Sequence, residues 1–287
     1  MMAVETNDNV QKKVWGREFS FSDQHFEQLA QVAHELTGIV LGEHKKDMLY
    51  GRLVRRLRAL KLKDFAEYIE LLNQDNSPEL DDFVNAITTN LTSFFRENHH
   101  FETLEKEILP NLIRQSSQKE IRIWSAGCST GEEPLSIAMV LHRVFQHLPA
   151  WKVKVLATDL DGDSLNHGRR AVYDKSRVEG LDTNVLKQNF DYDSKQKVVR
   201  VKDHIRNYVT FNRLNLLGPW PMKKEFQIIF CRNVVIYFNK DTQKVLFDRL
   251  ANQMNSKGDL FIGHSENLAG VTRRFQALGN THYRRTD

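Results

Sequence analysis

From about residue 115 onward, short apolar, β-branched runs alternate with stretches of helical periodicity, an order that few folds can accommodate. Residues 121–124, 153–158, 209–211, 227–231 and 260–263 read as strands, and helical patterns at 134–146 and 241–254 separate several of them. Parallel neighbours in a sheet need long crossovers, usually helices, so this order predicts an open, mostly parallel, doubly wound α/β sheet. The interval from Tyr173 to Phe211 breaks the rhythm. It holds a short helix near 185–190, then a strand-like run with Val198, Val199 and Val201. A small inserted antiparallel β subdomain is therefore expected at 174–211.

The first third of the chain has a different pattern. Ser22 is placed to cap a helix whose Phe26, Leu29, Ala30, Ala33 and Leu36 fall at helical spacing, with Gly38 as its stop. A second helix is expected over roughly 44–60, with Leu49, Leu53, Leu57 and Leu60 on one stripe. Asp64 can cap a third, carrying Phe65, Tyr68, Ile69 and Leu72. Ser77-Pro78 opens a fourth, with Leu80, Phe83, Val84 and Ile87. No strand pattern interrupts them. The expected organisation is a flexible tail at 1–18, an all-helical N-terminal domain at 19–92 and an α/β domain at 93–287. A chain of 287 residues is long enough for two such cores.

Composition narrows the function classes. No run approaches the roughly 20 apolar residues of a membrane span, and the polar N-terminus lacks the apolar core of a secretory signal. The two cysteines, Cys128 and Cys231, lie far apart, and no metal-ligand spacing surrounds them. The expectation is a soluble cytoplasmic protein without direct membrane insertion, metal or disulfide framework. The net charge of +4 is uneven: between His44 and Lys63, eight Lys/Arg stand against one acid. Arg52, Arg55 and Arg56 are spaced to share a helix face there. A charged face of this kind is either simply solvated or complementary to an acidic partner.

The most specific local signal runs Ile123-Trp124-Ser125-Ala126-Gly127-Cys128-Ser129-Thr130-Gly131-Glu132-Glu133-Pro134. A strand enters a small-residue loop, and Pro134 falls in the first turn of the next helix. Small residues at a first strand-to-helix turn let a ligand approach the backbone closely. The spacing is not G-x-G-x-x-G, which disfavours a nicotinamide dehydrogenase, and two acids would repel a pyrophosphate at the helix N-terminus. They suit a cationic ligand with an amino group. The next strand ends at Asp159, where an acid can accept from both hydroxyls of a ribose. Together these residues point to an adenosine-type cofactor without phosphates, S-adenosylmethionine. They are also compatible with a plain tight turn and a helix-capping Asp159.

Three further blocks add a resemblance. They are Thr88-Thr89-Asn90-Leu91-Thr92-Ser93-Phe94-Phe95-Arg96-Glu97, Phe230-Cys231-Arg232-Asn233-Val234-Val235-Ile236-Tyr237-Phe238 and Gly263-His264-Ser265-Glu266. With the cofactor loop, the set resembles the chemotaxis receptor glutamate O-methyltransferase family, from about Phe19 to Tyr283. The resemblance implies methyl transfer from S-adenosylmethionine to γ-carboxylates of receptor glutamates, giving glutamyl methyl esters and S-adenosylhomocysteine in sensory adaptation. By motif position it implies that Asn90, Thr92 and Arg96 contact the cofactor from the interdomain segment. Glu133 would hold the methionine part, Asp159 the ribose, and Asn215 and Leu216 the adenine, with Arg232 and Asn233 closing the site. Arg96 and Tyr237 would position the acceptor carboxylate, and Arg52, Arg55 and Arg56 would meet the Glu-rich methylation helices of the receptor. Such an acceptor, with an ordinary pKa of about 4.3, is already ionised at neutral pH and needs no general base. The alternative is a nucleic-acid or other protein methyltransferase of the same fold. Against nucleic acid, Cys231-Arg232-Asn233 stands where amino-methylating adenine enzymes usually carry Pro-Pro-aromatic. Nothing in the sequence calls for an obligate oligomer, so a monomer is expected.

One departure from the family pattern stands out. Some members bind a short peptide at the receptor C-terminus along the inserted subdomain, using a Gly-rich turn. Residues 189–199 of this chain contain no glycine, so no such tether is expected, although Asp193 and Ser194 can still make the turn.

Overall fold

The computed structural model describes residues 17–287, so most of the expected tail lies outside the described residues. Four helices form the first domain: α1 (Asp23–Thr37), α2 (Lys46–Leu60), α3 (Phe65–Leu72) and α4 (Leu80–Ile87). Their ends follow local chemistry. The Ser22 hydroxyl accepts from His25 N at 3.1 Å and the His25 ring accepts from Ser22 N, while Gly38 closes α1 at φ +74°. Asp64 caps α3 through Glu67 N. The apolar stripes meet in one core, where Leu29, Leu49, Leu53, Leu57, Phe65, Tyr68 and Phe83 are fully buried.

A linker leads into the second domain through α5 (His99–Thr103), a π-helical turn (Leu104–Ile108) and α6 (Leu109–Gln115). The strands are β1 (Glu120–Ala126), β2 (Lys152–Asp159), β3 (Val172–Asp174), β4 (Phe190–Asp193), β5 (Val198–Val201), β6 (Val209–Arg213), β7 (Phe226–Phe230), β8 (Met254–Phe261), β9 (Phe275–Gly279) and β10 (His282–Arg285). Between them lie α7 (Glu132–Phe145), α8 (Gly162–Arg170), α9 (Thr183–Asn189), α10 (Asp203–Arg206) and α11 (Lys240–Asn252). Seven strands form one sheet in the order β6-β2-β1-β7-β8-β10-β9, with β10 antiparallel to both its neighbours and the other pairings parallel. Both faces are covered. Ile121, Ile123, Ile228 and Phe230 pack on one side, and Trp124, Ala126, Ile229 and Cys231 on the other. The chain moves outward from β1 through β2 to β6, then returns to β7 beside β1. The crevice at the carboxyl ends of β1 and β7 is therefore the topological switch point, where open α/β sheets bind ligands.

The remaining strands form a separate antiparallel sheet, β3-β5-β4. Its limits correct the expected 174–211. The small sheet begins at Val172, and β6 belongs instead to the large sheet, paired in parallel with β2 from Val155↔Val209 to Asp159↔Arg213. A five-residue run that suits either sheet is assigned by the partner available to it. The β4–β5 turn forms without glycine: Asp193 Oδ1 accepts from Lys195 N and Gln196 N at 2.9 and 3.0 Å, and Lys197 takes φ +55°. Among the described residues no helix is long and apolar enough to cross a membrane.

Candidate active site

The loop after β1 is shaped by close approach. Gly127, at φ +86°, lies so near Val234 that a Cβ there would sit 2.3 Å from Cγ2. Gly131, at φ +96°, packs against Gly168, with room for no Cβ at 2.8 Å from its Cα. Between them Ser129, itself at φ +49°, donates its N–H to Asp159 Oδ2 at 2.7 Å, and Asp161 N donates to Oδ1 at 3.0 Å. Burial pushes the Asp159 carboxyl up, against these hydrogen bonds. Asp159 is no helix cap. That task falls to Asp161, whose Oδ1 accepts from Ser164 N at 2.9 Å at the start of α8.

The two acids opening α7 point in different directions. Glu132 is fully buried, pairs with Arg177 of the inserted subdomain and accepts from Thr130 Oγ1. Glu133 lines the cleft, accepting from Ser125 Oγ at 2.7 Å and Arg232 Nη1 at 3.0 Å. Only Glu133 is left to serve a ligand, which corrects the expectation that both acids would suit one. Burial pushes its carboxyl up, and Arg232 opposes this.

The interdomain segment is tied down by residues from the sheet. Asp161 Oδ2 accepts from Thr88 Oγ1 at 2.8 Å and Asn90 Nδ2 at 2.6 Å. Arg177 donates to Thr92 O at 2.8 Å. Asn215 Nδ2 donates to Leu36 O at 2.8 Å, and Val40 N donates to Tyr237 O at 2.9 Å, so the end of α1 is also fastened to the sheet domain. Arg96 sits between two left-handed residues, Phe95 (φ +53°) and Glu97 (φ +57°), with Phe95 N donating to Ser136 Oγ at 3.0 Å. Its guanidinium keeps one hydrogen bond, to Leu91 O at 2.9 Å, and no carboxylate partner among the described residues. Arg232, by contrast, is buried between Glu133 and Glu97. Burial raises the Glu97 carboxyl, but hydrogen bonds from His264 and the Arg232 charge outweigh it and hold it down at about 2. Glu266 organises the loop after β7, accepting from Asn233 N and Val235 N at 2.9 Å each and from Gly263 N.

One cleft is lined by Asn90, Thr92, Arg96, Glu133, Asp159, Asn215, Leu216, Arg232, Asn233 and Tyr237, which brings together every residue expected at the cofactor and acceptor sites. The profile described as "CheR methyltransferase, SAM binding domain" matches residues 90–284, and "CheR methyltransferase, all-alpha domain" matches residues 24–88. The chain belongs to the CheR methyltransferase family. It is 42% identical over 268 residues to a chemotaxis protein methyltransferase of Salmonella typhimurium and, equally, to one of Escherichia coli, covering 92% of this chain and 91% of each relative. Chemotaxis protein methyltransferase 2 of Pseudomonas aeruginosa is 40% identical over 272 residues, covering 93% of this chain and 95% of that protein.

The cofactor of a CheR methyltransferase is S-adenosylmethionine, and the cleft suits it. Gly127 and Ser129 line the cleft, Asp159 and Glu133 offer carboxylates to hydroxyl and amino groups, and Glu133 at the α7 N-terminus disfavours phosphates. Residues outside the expected set also matter to this site: Asp161, Glu97, Glu266 and Lys45, the last lining the cleft from the helical domain. Glu97 and Glu266 stood inside the motifs already singled out, but nothing local marked them as anchors, and Asp161 lies two residues beyond the strand end at Asp159.

The basic helix differs most from expectation. Arg52 turns inward, donating to the carbonyls of Ala86 (3.2 Å), Ile87 (3.0 Å) and Thr88, where it satisfies the C-terminus of α4. Arg56 forms a fork with the buried Glu79, both bonds at 2.7 Å, and also pairs with Asp82. Of the three, only Arg55 is exposed without such partners among the described residues. Arg52 and Arg56, expected to share a receptor-facing surface with Arg55, are thus engaged within the helical domain.

Proposed function

We propose that this protein methylates γ-carboxylates of glutamates on the cytoplasmic methylation helices of chemotaxis receptors, forming glutamyl methyl esters in sensory adaptation. Asn90, Thr92, Glu133, Asp159, Asn215, Leu216, Arg232 and Asn233 hold the cofactor. Bound S-adenosylmethionine supplies an electrophilic methyl group on a sulfonium. Arg96 and Tyr237 orient the acceptor carboxylate, which arrives ionised and needs no base. Arg96 carries the reading: it is a cleft cation without a carboxylate partner among the described residues, whereas Arg232 has two. One hydrogen bond to Leu91 O keeps it aimed while leaving donors for a substrate oxygen. Water stabilises a separated anion and cation more than their neutral products, so the residues that close the cleft contribute by excluding it. Val40, Leu41 and Met48 line it from the helical domain, and the Val40–Tyr237 backbone bond fastens that wall beside the acceptor site.

The names of the relatives support chemotaxis proteins as targets. Arg55 is the docking cation of α2, and without a glycine turn in the inserted subdomain no C-terminal receptor peptide is used as a tether. The test is transfer of labelled methyl groups to isolated receptor fragments, with mapping of the modified residues. Base-labile label on glutamate is the expected result. Base-stable label, or label on nucleic acid, would overturn the proposal in favour of another methyltransferase of this fold.

A further inference from the structure

Among the described residues, four buried side-chain polar atoms lack a well-aligned hydrogen bond, and three of them belong to side chains gathered around one carboxylate: Arg232 Nε, Glu97 Oε2 and His100 Nδ1. Buried polar atoms without partners are rare in native proteins, and a cluster of them calls for an explanation. His100 is fully buried and otherwise well held. Its Nε2 lies 2.8 Å from Asn280 O, an acceptor only, so that nitrogen carries the proton and Nδ1 presents a lone pair. Its ring also packs against Phe261, centroids 4.9 Å apart. Nδ1 faces Glu97 Oε2 at 3.7 Å, and Arg232 Nη2 lies 3.2 Å from the same oxygen.

The cluster thus presents one donor and two acceptors. A single water accepts once and donates twice, so it satisfies all three, and buried waters typically make about three hydrogen bonds. His99 also has a ligand atom within 4.8 Å of those of Glu97 and His100. A metal ion there would still leave Arg232 Nε without an acceptor, and would set two cations against each other. We propose that His100 is a positioning residue of the methyl-transfer site. Through one buried water shared with Glu97 and Arg232, its unprotonated Nδ1 holds the Arg232 guanidinium in the orientation that reaches Glu133. The inference rests on the reading of Arg232 as part of the cofactor site.

Two substitutions separate positioning from packing. In His100→Asn the side-chain oxygen can occupy the Nδ1 position and keep an acceptor there. In His100→Gln the amide reaches toward Asn280 as Nε2 does, but no acceptor remains for the water. Calorimetric titration of the full chain with S-adenosylmethionine should show about tenfold weaker binding for His100→Gln and a change within about threefold for His100→Asn, at similar thermal midpoints. Equal losses in both variants would reduce His100 to a packing role and overturn the proposal. Arg232→Lys, titrated alongside, separates the two readings. Weakened binding there with an unchanged His100→Gln overturns the role of His100 alone, whereas parent-like binding by Arg232→Lys removes Arg232 from the cofactor site and overturns both. If the variants do not fold, nitrogen NMR of the parent decides. An unprotonated His100 Nδ1 and a slowly exchanging Arg232 Nε–H at neutral pH are expected, and exchange as fast as that of an exposed arginine would overturn the proposal.

Discussion

Replacing Asp161 with alanine tests how the two domains are held together across the cofactor cleft. The side chain is 2% exposed and accepts three hydrogen bonds, from Thr88 Oγ1, Asn90 Nδ2 and Ser164 N. Loss of an N-cap costs about 1 kcal/mol, and each bond to a charged group about 1.5–3 kcal/mol. Thr88 and Asn90 are only partly buried, so water can replace part of what they lose. A net destabilisation of about 2–4 kcal/mol is expected. Asn90 also loses the bond that aims it, leaving only a long contact from Ser129 Oγ at 3.4 Å. Affinity for S-adenosylmethionine should therefore fall by roughly threefold to tenfold, or about 0.7–1.4 kcal/mol. Urea unfolding followed by tryptophan fluorescence, with calorimetric titration of the cofactor, measures both quantities. Asp161→Asn keeps the cap and should lie between parent and alanine variant. A folded Asp161→Ala protein within about 0.5 kcal/mol of the parent, with unchanged cofactor affinity, would refute the assignment of Asp161 as the interdomain anchor.

Five other outcomes follow from the same geometry. Asp159→Ala should weaken S-adenosylmethionine binding about tenfold or more by calorimetry, because the acceptor oxygens of a buried carboxyl are lost from the cleft. Arg55→Glu should slow receptor methylation in a salt-sensitive way without changing cofactor affinity, whereas Arg56→Ala should lower the unfolding free energy by about 3 kcal/mol, because it leaves Glu79 buried and half-paired. Burial and the Arg232 charge hold His100 near 4 instead of 6.5, so the unfolded chain takes up its proton first and stability is lost as pH falls between those values. Glu97, held at about 2 instead of 4.5, extends the loss with the same sign below 4.5, and thermal midpoints of His100→Gln should be flatter across the upper window alone. A peptide matching a receptor C-terminus should show no binding to the inserted subdomain up to roughly 1 mM, which marks about 4 kcal/mol; micromolar binding would restore the tether.

The features legible in the sequence were those set by neighbours along the chain. Ser22, Gly38 and Asp64 mark helix ends because a cap acts within three or four residues. The small-residue loop and the blocks around Arg96 and Arg232 could be found because each is contiguous. The helical stretch of α5 and α6 and the C-terminal hairpin of β9 and β10 were missed. The former passes through a π turn that blurs its periodicity. The latter pairs across a bulge at His282/Tyr283, and of the β9 residues only Phe275 is buried, so no alternation marks that strand.

The sequence by itself determined that a helical domain precedes a doubly wound sheet, and that a cofactor loop follows the first strand, because periodicity and turn chemistry are local properties. Tertiary structure decided what adjacent or equivalent residues do. Glu132 and Glu133 are neighbours, yet a step of about 100° around a helix sends one to Arg177 and the other to Arg232. Arg52, Arg55 and Arg56 look alike in sequence, but the open carbonyls of α4 and the buried Glu79 claim two of them and leave the third in solvent. Asp161 becomes an interdomain anchor because Thr88 and Asn90, more than seventy positions earlier, are brought to its oxygens. Each outcome depends on where the competing partner sits in space, and burial makes that competition decisive, since a charge or donor removed from water must find its partner within the fold.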